Sequence, residues 1–203
     1  MNSIDRLTEI FGKFPGIGPR QAKRFVYFLL SRNNGYTDDL IRAIQDIKKE
    51  IIQCSECHRF YPSASSGQVQ KMCSICSNDT RDNSMLMIVP RDIDLEAVER
   101  SGSYKGYYFV LGGSLPILEK EPEKRIRINE LKKNIEKKKG KLKEIILAMN
   151  ANAEGENTAD FIKEIYKESP FTFSILGRGL STGAELEYAD PETLKNAFLH
   201  RTK

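Results

Sequence analysis

The chain has 203 residues, 39% of them hydrophobic and 30% charged, with no run of about 18 apolar residues, which excludes a membrane-spanning helix. Its net charge is only +4, yet Lys13, Arg20, Lys23, Arg24 and Arg32 share residues 13–32 with no acid, and residues 132–143 hold seven lysines against one glutamate. Such runs suit a polyanion or a solvated helix face. The N-terminus, MNSIDRLTEIFGKF, lacks the apolar core of a secretory signal, so a cytoplasmic location is expected.

Apolar residues at helical spacing predict helices over residues 4–12 and 19–31, through Ile4, Leu7, Ile10 and Phe11, then Phe25, Phe28 and Leu29. Between them Phe14-Pro15-Gly16-Ile17-Gly18-Pro19 reads as a tight turn, with Pro19 at the first helical position. A third helix is expected over 37–52, capped by Thr37. Residues 53–82 are polar and irregular. From residue 85 short apolar strands (85–89, 107–111, 144–149, 171–176) alternate with helices (94–101, 127–139, 156–168, 191–199). That alternation predicts an α/β fold with a mostly parallel sheet covered on both faces. Residues 115–125 read as a loop. The lysines of 132–143 are expected to be solvated, with Leu131, Ile135 and Leu142 packed inward. The expected division is 1–52, 53–82, 83–176 and 177–203.

All four cysteines fall in the irregular segment, as Cys54-x-x-Cys57 and Cys73-x-x-Cys76. Paired thiolates at this spacing close a tetrahedron around Zn²⁺, and four sulfurs leave no open position, so the metal is structural. The competing readings are disulfides, disfavoured without a secretory signal, and a redox pair. His58 is expected to be an exposed neighbour of the cluster.

The turn at 14–20 resembles the hairpin of a helix-hairpin-helix motif. Without Cβ atoms, Gly16 and Gly18 let backbone N–H groups approach a phosphate. The following helix adds its dipole, and Arg20, Lys23 and Arg24 add charge. Binding through such contacts is largely independent of base sequence and sensitive to salt. A plain helical turn is the alternative.

After the strand at 85–89, Pro90 is followed by Asp92, Asp94, Glu96 and Glu99, and the strand ending at Met149-Asn150 leads to Glu154-Gly155-Glu156. Carboxylates at strand ends build Mg²⁺ sites, but acids are equally favoured in first helical turns. Pro90 cannot ligate a metal and suits a strand terminator. Asp92 or Asp94 is expected to open a helix, with Glu99 too far along it to join a compact site. The glycine-rich stretches 111–116 and 177–183 match neither a dinucleotide fingerprint nor a P-loop.

The ordered set FPGIGPRQAKRF (14–25), the two CxxC pairs, AVERSGSYKGYYFVLGGSL (97–115), AEGENTA (153–159) and GLSTGAELEYADPETL (179–194) resembles the RecR family over nearly the whole chain. The resemblance implies a helix-hairpin-helix, a four-cysteine zinc module and a Toprim-like domain. It implies a non-enzymatic, ring-forming DNA-binding mediator that acts with RecO or RecF to help load RecA at single-stranded gaps. The hairpin would then face DNA, the terminal segments would build a dimer or tetramer ring, and Asp94 and Glu154 would be partner contacts. Pro90 stands where the family commonly carries a glutamate, and the third strand ends in Met149-Asn150 without the paired aspartates of catalytic Toprim enzymes. The competing expectation is a metal-dependent Toprim phosphoryl-transfer enzyme, built on Asp92, Asp94 and Glu154.

Overall fold

The computed structural model describes residues 1–63, 71–183, 185–199 and 201; residues 64–70 of the cysteine-rich segment and 184, 200, 202 and 203 of the C-terminal segment lie outside the described residues. The chain forms two compact units, Met1–Ile52 and Gln53–Lys203.

The first unit is helical: α1 (Ser3–Gly12), α2 (Pro19–Leu30) and α3 (Asn34–Glu50). Each start has a local cause. Asn2 accepts the Asp5 N–H at 2.9 Å and caps α1; Asn33 accepts the Tyr36 N–H at 3.0 Å and caps α3. The expected Thr37 cap is therefore corrected: α3 begins three residues earlier, and Thr37 sits inside it. The buried residues of α2 are Ala22 and Val26, and Phe28 is exposed instead of packed inward. Phe11 of α1 meets Phe14 and Phe25 edge-on at 5.8 Å. α3 buries nothing, and its Ile41, Ile44 and Ile47 are exposed.

The chain passes from the first unit to the second within β1 (Ile51–Gln53), which leads into the first cysteine pair; β2 (Phe60–Pro62) follows that pair. The sheet is built from β3 (Asp82–Val89), β4 (Gly106–Val110), β5 (Glu144–Leu147) and β6 (Thr172–Ile175), all parallel, in the order β4-β3-β5-β6. Between the strands lie α4 (Asp92–Ser101), α5 (Pro122–Arg125), α6 (Ile128–Lys137) and α7 (Ala153–Ile165), and α8 (Pro191–Leu199) follows β6. Leu86, Met87, Ile88 and Val89 are all buried, so both faces of β3 are covered, as its unbroken apolar run requires. Leu86, Ile88, Phe109, Ile145 and Leu147 of the sheet pack with Leu131 and Ile135 of α6 and Ile162 of α7. Because β3 and β5 are parallel, the turns after both leave the same carboxyl edge, at the point where strand order reverses.

Several boundaries differ from expectation. α7 starts at Ala153 because Asn152 accepts the Gly155 N–H at 2.8 Å. Gly155 is obligatory there, since a Cβ would collide with the Asn150 carbonyl oxygen. α5 lies within the segment read as loop, opened by Pro122. The lysine-rich stretch is only partly solvated: Leu131, Ile135 and Leu142 are buried as expected, but Lys137 pairs with Glu56 at 2.8 Å. Lys138 lies 4.9 Å from the Tyr107 ring centroid, and burial lowers its pKa.

Candidate nucleic-acid interface and metal centre

Pro19 at N1 sets the start of α2, and Gly18 is its N-cap, with no side chain bonded there. No acid occupies the first turn, so the positive end of the helix dipole is left uncompensated. Gly16 has φ +76°, the left-handed region that favours glycine. Gly18 is extended, a conformation open to any residue, and a Cβ there would meet nothing within 4 Å. Neither backbone geometry nor packing therefore requires glycine at position 18. Arg20, Lys23 and Arg24 are all exposed, and among the described residues Arg24 makes only a long 3.4 Å bond to Gln21. An exposed backbone turn thus precedes three exposed cations that helical spacing sets on one side of α2.

The cysteine centre is built from two matching turns. The His58 N–H donates to the Cys54 carbonyl at 3.1 Å, and the Ser77 N–H donates to the Cys73 carbonyl at 3.0 Å. These turns bring the sulfurs of Cys54, Cys57, Cys73 and Cys76 within 4.8 Å of one another, with Cys57 and Cys73 at 3.6 Å. A tetrahedron with Zn–S bonds of about 2.3 Å has edges of about 3.8 Å, so the four thiols fit a metal ion. Hydrogen bonds from Cys57, Cys73 and Cys76 pull the Cys54 thiol far below its ordinary pKa, whereas the bond to Cys54 pushes Cys57 up. The cluster shares negative charge that a bound cation would neutralise.

His58 is not the exposed neighbour expected. It is half-buried with φ +59°, its ring 5.3 Å from that of Phe109, and burial lowers its pKa. The knuckle is tied down on several sides. The Val110 N–H donates to the Cys57 carbonyl at 2.8 Å, and Arg127 donates to the carbonyls of Val110 (2.9 Å) and His58 (3.4 Å). The Asn134 amide donates to the Glu56 carbonyl at 3.0 Å, and the Tyr107 hydroxyl to the Asn78 carbonyl at 2.9 Å. Glu56, Arg127 and Asn134 have no local motif; only the fold brings them to the cysteines.

The acids after β3 have separate tasks. Pro90 is buried at the end of the strand, and its carbonyl accepts the Gly112 N–H at 2.9 Å. Asp92 opens α4 and accepts the Phe60 N–H at 2.7 Å. Asp94 accepts the Arg91 N–H at 3.0 Å, closing the first turn. Glu154 is exposed in the first turn of α7. Among the described residues, only the four cysteines gather three or more potential metal ligands.

Glu99 points away from that edge into a network that no local motif announces. Arg81 holds it with bonds of 2.6 and 3.1 Å and also donates to the Gly106 carbonyl at 2.8 Å. The Tyr108 hydroxyl donates to Glu99 at 2.7 Å. Burial opposes ionisation of Glu99, but these donors outweigh it and hold its carboxyl below the ordinary range. Its contribution to stability is complete above the unfolded pKa of about 4.3 and is lost as pH falls through the lower folded value. Arg81→Ala should destabilise the fold by about 2 kcal/mol at neutral pH, a buried-pair loss discounted because the Glu99 side chain is 29% exposed. Glu99→Gln should flatten the acid limb of a stability–pH profile; denaturant titrations at neutral pH and about pH 4 check both.

Comparison with known proteins adds to this geometry. The family model described as RecR, helix-hairpin-helix, matches residues 4–48; a Toprim domain model matches 84–177; and RecR, C-terminal, matches 179–202. The protein named Recombination protein RecR from Staphylococcus saprophyticus is 38% identical over 200 residues, 98% of this chain and 96% of that relative. Proteins of the same name from Rickettsia bellii and Rickettsia prowazekii are each 37% identical over 197 residues, 97% of this chain and 94% of theirs. With a helical N-terminal unit, a four-cysteine cluster able to hold a metal and a parallel Toprim-like sheet in that order, the chain belongs to the RecR family.

Proposed function

We propose that this chain is a non-enzymatic DNA-binding mediator of recombination and repair, which binds DNA through residues 14–24 and acts as an oligomer. The observation that carries the reading is the exposed hairpin: Gly16, Gly18, Arg20, Lys23 and Arg24 are all exposed, with no acid in residues 13–32. That combination binds phosphates without reading bases. In the cell it acts with RecO or RecF in the cytoplasm to help load RecA at single-stranded gaps. Asp94 and the exposed Glu154 are the contacts offered to that partner. The metal of Cys54, Cys57, Cys73 and Cys76 is Zn²⁺, because an all-thiolate tetrahedron selects a soft, structural ion.

Apolar surface favours assembly. Ile41, Ile44 and Ile47 of α3 are 48%, 56% and 60% exposed, and a groove of about 300 Å³ opens between Ile4, Leu7, Val26 and Leu29. Near the C-terminus Leu186, Tyr188, Phe198 and Leu199 are exposed as well. Apolar stretches at both ends suit the two contacts of a closed ring. The reading as a phosphoryl-transfer enzyme finds less support, since Pro90 offers no ligand, Asp92 and Asp94 are hydrogen-bonded to backbone amides, and Glu99 is held by Arg81.

The full chain should bind a gapped duplex with log K falling linearly in log salt, as read by fluorescence anisotropy. Light scattering should give a mass above one chain. Absence of binding at about 50 mM salt would overturn the DNA reading. Cleavage or relaxation of DNA with Mg²⁺ that Asp94→Asn abolishes would favour the enzyme.

A further inference from the structure

On α2 the cations share their face with an aromatic ring. Arg20, Lys23, Arg24 and Tyr27 follow the spacing i, i+3, i+4, i+7, which places all four on one stripe about 100° wide. The buried residues of the helix, Ala22 and Val26, lie outside that stripe, and Tyr27 is 52% exposed. The rise from Lys23 to Tyr27 is one helical turn, about 6 Å.

The other rings of the N-terminal unit are occupied. Phe11, Phe14 and Phe25 meet edge-on, Phe28 packs against Tyr36 at 5.9 Å, and the Arg32 guanidinium covers Phe28 at 4.3 Å. Among the described residues Tyr27 alone of this unit's aromatics has neither a ring partner nor a cation over it. It buries no core and presents a planar face amid three positive charges. That is the composition of a surface for unpaired nucleic acid: cations track the backbone while an aromatic ring takes a base.

We propose that Tyr27 is a base-stacking platform that gives the basic surface of α2 a preference for single-stranded DNA. The inference rests on the reading of residues 14–24 as DNA-facing. Arg20, Lys23 and Arg24 supply no preference for single strands, because a duplex offers them phosphates at higher charge density. A ring at Tyr27 reaches only bases that are not already stacked in a duplex. The specificity for strandedness thus belongs to one residue and the bulk of the affinity to its charged neighbours. The ring supplies the stacking, and the hydroxyl is dispensable.

The test uses the full chain with three probes at fixed salt: oligo(dT), an oligonucleotide of the same length carrying abasic sites, and a blunt duplex. Tyr27→Ala should weaken oligo(dT) binding by about 5- to 150-fold, the range of one stacked base, and change duplex and abasic binding by less than about twofold. Tyr27→Phe should bind as the parent does. Equal losses on all three probes, or no loss on oligo(dT), would overturn the proposal. So would a fall in oligomer mass for Tyr27→Ala in light scattering, which would place the ring between copies of the chain. If the parent binds none of the probes, or an Arg20/Lys23/Arg24→Ala variant binds as the parent does, the DNA reading itself fails and takes the stacking role with it.

Discussion

Stripping the metal from the cysteine cluster is expected to lower the thermal midpoint by about 10–20 °C. Zn²⁺ bound to four thiolates supplies on the order of 10 kcal/mol to a small module that has no folded apo state. Here part of that energy is offset by contacts that survive without metal, leaving about 5 kcal/mol, and each kcal/mol moves the midpoint by roughly 2–4 °C in a chain of this size. The loss should not stay within the knuckle. β4 is an edge strand, and the Val110 N–H at its end is satisfied by the Cys57 carbonyl. The Asp92 carboxylate, the Asn134 amide and the Arg127 guanidinium likewise depend on knuckle partners. Releasing the metal therefore leaves buried polar groups unpaired at the end of the sheet. Hydrogen exchange should quicken at residues 53–62, 71–82 and Val110 while the central residues of β5 keep their protection, and Cys57→Ser should reproduce the pattern. Elemental analysis should give one zinc per chain. An unchanged midpoint after complete chelation, or metal-free protein purified without chelator, would contradict this account.

The parts of the molecule legible in its sequence are those whose causes are local. Two CxxC pairs announce their cluster because each turn needs only four residues to present two sulfurs. The run Met85–Val89 announces a central strand because burial on both faces leaves no polar alternation. The hairpin at 14–20 announces itself because Gly and Pro act on their own backbone. What stays hidden depends on distant partners. Glu99 reads as idle at the end of a helix, since Arg81 lies 18 residues before it and reaches it only across the fold. Asp92 reads as a helix opener and no more, because the amide it accepts, Phe60, is 32 residues away. Lys137 and Lys138 read as part of a solvated run, and only the fold sets Glu56 and Tyr107 beside them. The helix starts at Asn33 and Asn152 escape for a different reason: neighbouring polar residues are equally plausible caps, and local sequence does not choose among them. Asp92 and Asp94, whose order suggests catalysis, each accept a backbone amide, Asp92 from Phe60 of the knuckle and Asp94 from Arg91 at the start of its own helix.

The second large effect is expected on DNA. Replacing Arg20, Lys23 and Arg24 with alanine removes three candidate phosphate contacts from exposed positions on α2. For a duplex each contact contributes about 0.9 to the slope of log K against log salt, so the slope should become shallower by about 2.7. At about 0.15 M salt the same relation gives a loss on the order of 100-fold, shrinking as salt rises and growing at low salt. The fold should be untouched, because none of the three is buried and alanine is the better helix former. An unchanged thermal midpoint is therefore part of the expectation. Gly16→Ala separates geometry from charge: it forces a side chain into φ +76°, costs about 1–2 kcal/mol and should weaken binding with little change in salt slope. If the triple variant keeps the parent's slope, the basic helix is not where DNA lies. If it loses the slope while Gly16→Ala has no effect, the cations suffice and the bare turn at Gly16-Ile17-Gly18 serves the hairpin alone. Loss in both would place phosphates at the hairpin and along the first turns of α2, with the backbone amides and the cations sharing one polyanion.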